Sequence, residues 1–85
     1  MDLKAQFEQA VIDSKSLPQK PDNETLLKLY SLYKQCSIGD VNTDAPTNPF
    51  DFVAKAKYNA WAELKGKSTT DAMTEYIALV QQLKS

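Results

Sequence analysis

The sequence contains no histidine and no arginine, and Cys36 is its only cysteine. Without histidine there is no imidazole to serve as general base near neutral pH. Without arginine no guanidinium fork can grip a phosphate, so anion recognition must use lysine, tyrosine hydroxyls and backbone amides. A lone cysteine cannot close an internal disulfide, and the usual Cys/His zinc site is impossible. The missing disulfide network fits a reducing cytoplasm. No apolar run is long enough to span a bilayer, and the Met1-Asp2-Leu3-Lys4 start lacks the apolar core of a secretion signal. A soluble cytoplasmic protein without stable membrane insertion is therefore expected. Glycine-rich phosphate loops and metal-ligand spacings are also missing, so neither metal, cofactor nor catalysis is expected. The net charge of −1 lacks the basic footprint that nucleic-acid binding requires.

What is present fits one small helical domain spanning residues 1–85. Hydrophobic residues make up 42% and charged residues 25%, an ordinary globular balance. Only two glycines and four prolines occur, the prolines between periodic segments. The first helix is predicted over about Leu3 to Ser16, capped by Asp2, and Leu17-Pro18-Gln19-Lys20-Pro21 ends it. The second starts at Asp22 or Asn23 and runs to about Ser37. Its apolar arc is very wide, leaving Lys28, Ser31 and Gln35 as the expected water-facing side; an arc that wide has at least two partners. A loop over Ile38 to Thr47 follows. The third helix is predicted from Asn48-Pro49-Phe50-Asp51, with Asn48 as cap and Pro49 at the first helical position, to about Lys65, with Gly66 as left-handed stop. The fourth opens on Ser68-Thr69-Thr70-Asp71, the serine capping. With four helices and no strand-like alternation, the expected class is an all-α bundle.

Two lysines stand where apolar side chains belong. On a helix Lys34 falls between Tyr30 and Leu27, and Lys57 falls between Val53, Leu64 and Trp61. Lysine is almost never fully buried unless paired, so two such residues beside tyrosines point to apolar surface left open for an anionic ligand. Tyr30, Tyr33 and Lys34 share one face. Two readings fit that spacing: core tyrosines with a lysine reaching out at the rim, or a ring on which a planar base stacks while phosphate meets the lysine. Trp61 is expected to be a core anchor. Tyr76 lies mid-stripe, and its hydroxyl needs a partner if buried, supplied by a ligand phosphate or a polar linker. Phe7, Val11, Leu26 and Leu27 are expected to be mostly core, some lining an apolar groove. Cys36, on an apolar arc without a basic neighbour, is expected to be inert.

The stretches Tyr30-Ser31-Leu32-Tyr33-Lys34-Gln35, Gly39-Asp40-Val41-Asn42-Thr43, Lys55-Ala56-Lys57-Tyr58-Asn59-Ala60-Trp61 and Leu64-Lys65-Gly66, followed by Asp71-Ala72-Met73 and Tyr76-Ile77, occur in the order and spacing of a known family. The chain resembles the acyl-CoA-binding protein family over nearly its whole length. That resemblance implies a four-helix, up-down-down-up bundle, acting as a monomer, that binds medium- to long-chain fatty acyl-CoA without chemistry of its own. It implies that Tyr30, Lys34 and Lys57 hold the ribose 3′-phosphate, that Tyr33 supplies a surface for adenine, and that Tyr76 contacts the ligand near adenine and phosphates. Lys15 matches a further ligand-contacting lysine, Ser31 and Leu32 fall within the ligand-binding stretch, and Ala10, Val11, Leu26 and Leu27 match positions of the acyl groove. Three departures stand out: Val53 replaces a family lysine, Tyr58 stands where tryptophan is frequent, and the loop Pro46 to Asp51 is one residue longer than is common. The implied role is a carrier and buffer of acyl-CoA. The rival readings are a helical module that grips a partner helix and a thioesterase that consumes the thioester.

Overall fold

The computed structural model describes residues 2–84. Met1 and Ser85, which belong to the expected 1–85 domain and, for Met1, to the N-terminal tetrapeptide, lie outside the described residues. Four helices form: α1 (Leu3–Ser14), α2 (Asn23–Ser37), α3 (Phe52–Ala62) and α4 (Thr69–Lys84). No strand occurs among the described residues. None of the helices is long and apolar enough to cross a membrane.

The helix starts are set by side-chain acceptors for orphan amides. Asp2 accepts from the Ala5 amide at 2.7 Å, and Asp22 accepts from Thr25 at 2.8 Å. The Thr25 bond holds the Asp22 carboxyl below the usual carboxylate range. Ser68 Oγ accepts from Asp71 at 3.0 Å, as the sequence predicts. The third start differs from expectation. Asp51, not Asn48, caps α3, accepting from Ala54 at 3.0 Å. Asn48 is already engaged in its own turn, its side chain accepting from Phe50 at 2.9 Å. Asparagine closes such local turns readily, which leaves the helix end to the next acceptor. α1 and α3 also end earlier than predicted. Lys15 and Ser16 bond three residues back after α1, and Leu64 and Lys65 do so after α3. Gly66 then takes φ 92°, the left-handed stop expected of it.

α4 packs against both α1 and α2, whereas α3 packs on α2 alone. No Cα of α1 lies within 8 Å of one in α2. Contacts between ends fix the directions. The end of α2 meets the start of α4 through Gln35 and Lys67, and Lys84 pairs with Asp13 where α1 and α4 both finish. The end of α3 meets the end of α2 through Trp61 and Gly39, while Val53 faces Asn23 near their starts. α1 and α4 therefore run one way and α2 and α3 the other, which is the up-down-down-up order. The core is Phe7, Ala10, Leu29, Leu32, Cys36, Ala72, Tyr76 and Val80, with Trp61 buried separately between α2 and α3.

α2 is the helix shared by α3 and α4, and Leu29, Ser31, Leu32, Gln35 and Cys36 are buried along it. Ser31 and Gln35, expected to face solvent, are 3% and 0% exposed, and only Lys28 of that side is exposed. Ser31 donates its hydroxyl to the Lys28 carbonyl at 2.9 Å. Leu32 is 1% exposed. Ser31 and Leu32, expected among the ligand-binding residues, are thus both buried in the bundle. Cys36 is buried as expected, its thiol donating to the Tyr33 carbonyl at 3.3 Å and pushed up by burial to about 11. Since the thiolate is the reactive form, native protein should react with iodoacetamide far more slowly than urea-unfolded protein, followed by mass spectrometry. Equal rates would show an accessible thiolate.

Candidate functional site

Tyr30 sits midway along α2, and two ammonium groups converge on its ring. Lys34 Nζ is 5.8 Å from the ring centroid and Lys57 Nζ, from α3, is 5.2 Å from it. Lys34 Nζ also lies 5.6 Å from the Trp61 ring. Neither lysine has an acidic partner: among the described residues the ion pairs are Lys67 with Glu75 and Lys84 with Asp13. An aromatic face contributes only about 0.5–1 kcal/mol to a cation at an exposed site. It does not neutralise two like charges held over one ring, so the arrangement favours an anion. Lys34 is half-buried, but Lys57 is exposed. The apolar arc expected around Lys57 exists, yet Val53 on it is 65% exposed. The reason is that α3 has no second helix to cover it.

Apolar cavities open on both sides of Tyr30. One, of about 370 Å³, lies between α2 and α3 and is lined by Leu26, Leu27, Tyr30, Ala56 and Lys57 with Asn23, Phe52 and Val53. The other, of about 340 Å³, fills the gap that α1 and α2 leave over α4. Val11, Ser14, Lys15, Leu29, Tyr33 and Tyr76 line it together with Leu26 and Tyr30. The bundle therefore joins Tyr30, Lys34 and Lys57 around one ring, and Tyr33, Tyr76, Lys15 and Val11 in the hollow beside it.

Tyr33 is 42% exposed, and Phe7 covers it from α1 with ring centroids 6.0 Å apart and an interplanar angle of 26°. Its remaining surface is open to a stacking partner. Tyr76 is 4% exposed and meets Phe7 edge-on at 5.1 Å. Its hydroxyl donates to Ser14 Oγ at 3.3 Å, and Ser14 donates to the Val11 carbonyl at 2.7 Å. The partner the buried phenol requires is thus a side chain of α1. Burial pushes the Tyr76 phenol above its usual range. Lys15 is exposed at the end of α1, on the rim of the hollow. Ala10 lies elsewhere. It is 5% exposed and lies on the seam between α1 and α4 with Ile77 and Val80, away from both cavities beside Tyr30. One residue along a helix is a turn of about 100°, which is why Val11 reaches the hollow and Ala10 does not.

A polar lock beneath the lysines escaped the sequence reading. Gln35 Nε2 donates to Asp40 Oδ1 and to the Lys67 carbonyl, both at 2.8 Å. Asp40 Oδ1 also accepts from the Gly66 amide at 2.8 Å, and Trp61 Nε1 donates to the Gly39 carbonyl at 2.9 Å. The Gly66 and Gln35 bonds hold the Asp40 carboxyl below the usual range. These bonds fasten the loop after α2 to the turn after α3, and so fix Lys34 and Lys57 relative to each other. The available signal was Ser31, a small residue four positions before Gln35 on the same face, where another helix can approach closely.

The sequence model of a family described as Acyl CoA binding protein matches residues 4–80. An acyl-CoA-binding protein of Ricinus communis is 46% identical over 83 residues, 98% of this chain and 91% of that protein. Acyl-CoA-binding protein homolog 1 of Caenorhabditis elegans is 47% identical over 77 residues, 91% of this chain and 88% of its own. Among solved structures, Acyl-CoA-Binding Protein 2 of Oryza sativa superposes with a TM-score of 0.89 at 40% identity, covering 96% of this chain and 90% of that one. The corresponding protein of Moniliophthora perniciosa gives 0.87 at 36% identity, covering 98% and 80%.

Proposed function

The chain belongs to the acyl-CoA-binding protein family, and from that premise we propose that it binds and buffers medium- to long-chain fatty acyl-CoA thioesters. The family is one of binding proteins, so the thioester leaves as it arrives. The observation that carries the reading is the pair of ammonium groups, Lys34 and Lys57, that meet at one Tyr30 ring without an acidic partner among the described residues.

In this reading the ribose 3′-phosphate lies between Lys34 and Lys57, with the Tyr30 hydroxyl as a third donor. The adenine lies in the hollow over α4, stacked on the open surface of Tyr33, with Tyr76 in the wall and Lys15 at the rim near the pyrophosphate. The acyl chain enters the groove between α2 and α3 over Leu26 and Leu27, while Val11 lines the adenine side. Charge-assisted hydrogen bonds are worth about 1.5–3 kcal/mol each, and they select the CoA head. The tail adds up to about 0.8 kcal/mol for each methylene that leaves water. A ligand that binds only the folded state also makes that state more stable when loaded.

The proposed setting is a monomer, one domain over 1–85, in the cytoplasm and without nucleic-acid partner. The acidic balance of the chain and its single, buried cysteine support it. Titration calorimetry tests the function. Palmitoyl-CoA should bind far more tightly than CoA alone or free palmitate, because head and tail contribute at separate sites. Equal affinity for palmitate would turn the protein into a general fatty-acid binder and overturn the assignment.

A further inference from the structure

The last turn of α1 fixes the direction of two hydroxyl protons. The Lys15 amide bonds to the Ile12 carbonyl at 3.1 Å, and the Ser14 hydroxyl donates to the Val11 carbonyl at 2.7 Å. The last carbonyls of a helix lack amide partners within it, and a serine in the last turn can supply a donor. A serine hydroxyl carries a single proton. That of Ser14 is committed to Val11, so Ser14 Oγ meets the Tyr76 hydroxyl, 3.3 Å away, only as an acceptor. Tyr76 must then donate, and its one proton is committed in turn. Both residues line the hollow of about 340 Å³ that α1 and α2 leave over α4. The pair therefore offers a ligand in the hollow two oxygens with lone pairs and no proton to give.

We propose that Ser14 is a positioning residue that makes Tyr76 a hydrogen-bond acceptor, so that the hollow selects a base edge bearing an amino group over one bearing a carbonyl. The proposal rests on the site reading given above, in which the base stacks on Tyr33. The Tyr76 ring lies 6.5 Å from that of Tyr33 and is tilted by 55° to it, which sets the hydroxyl pair at the edge of a base lying on Tyr33. The exocyclic amine of adenine donates to such an oxygen. The carbonyl that replaces it in hypoxanthine brings a third acceptor against two, and a buried acceptor left without a donor costs more than a bond merely missed. By the same reasoning a phosphate oxygen finds no donor at Tyr76, which leaves the phosphates to the lysines.

The test is titration calorimetry of the full chain, and of Ser14→Ala and Ser14→Thr, with dodecanoyl-CoA and with its deaminated analogue, in which hypoxanthine replaces adenine. Ser14 is half-buried at the last position of α1, so both variants should fold, which circular dichroism checks. The unmodified protein should bind the deaminated ligand about tenfold more weakly. Ser14→Ala releases the Tyr76 proton, so the preference should fall to within about twofold, while Ser14→Thr keeps the hydroxyl and should keep the preference. Tyr76→Phe, which removes the acceptor and retains the ring, should lose the preference too, and it decides the matter if Ser14→Ala does not fold. A role in packing alone would weaken both ligands alike in Ser14→Ala and leave their ratio unchanged, which overturns the proposal. Equal binding of the two ligands by the unmodified protein overturns it as well, while the functional reading stands. If the unmodified protein binds neither ligand, the functional reading fails first and takes the inference with it.

Discussion

Replacing Lys34 and Lys57 together by alanine should abolish tight acyl-CoA binding while leaving the bundle folded. Each lysine offers one charge-assisted contact to the phosphate, worth about 1.5–3 kcal/mol, so a single replacement should cost roughly tenfold to more than a hundredfold in affinity. The two ammonium groups share one ring and one anion, so their losses should not add simply. Stability should move little, since neither lysine has an ion pair to lose among the described residues. The discriminating ligand is 3′-dephospho-CoA with the same acyl chain. The unmodified protein should bind it about as weakly as the double variant binds the complete ligand, and the double variant should not distinguish the two. A folded double variant with unchanged affinity would remove the head-group site.

The second large effect belongs to stability. Trp61→Ala should cost about 3–5 kcal/mol of folding free energy, the usual loss for a buried large aromatic. Trp61 is 4% exposed and pins α3 to α2, and its indole donates to the Gly39 carbonyl. Removing it opens a cavity, leaves that carbonyl unpaired and takes away the second ring against which Lys34 is held. Urea unfolding followed by far-ultraviolet circular dichroism reads the loss, as the tryptophan signal itself is gone. Affinity should fall as well, through misplacement of Lys34 and Lys57, and should recover in part at low temperature or saturating ligand. Unchanged stability with lost binding would make Trp61 part of the ligand surface rather than the pin beneath it.

Helix number, most helix starts and the odd position of the lysines were legible from the residues, because caps and period-3.6 patterning act within a few positions of the chain. Asp2, Asp22 and Ser68 cap as their side chains dictate, and Gly66 stops its segment because it alone tolerates the left-handed backbone there. The reach of a pattern ends where two candidates compete. Asn48 and Asp51 are both capping residues, and only the closed turn at Asn48 assigned the helix end to Asp51. Ala10 and Val11 are adjacent and similar, and nothing in their spacing says which one looks into the hollow. Ser31 and Gln35 read as a polar face because polarity normally follows water, whereas here they meet a close helix and a loop.

By itself the sequence determined an all-α chain with two lysines stranded among apolar residues, and these point to an anionic ligand. Only the tertiary structure decided that both cations converge on Tyr30, that Ser31, Leu32 and Ala10 turn inward, and that α3 keeps one uncovered flank. The physical reason is that local rules fix which face of each helix is apolar, but the number of neighbours a face receives depends on packing between segments far apart in the chain. α2 received neighbours on two sides and buried even the polar Ser31 and Gln35, while α3 received one and left its apolar wall open.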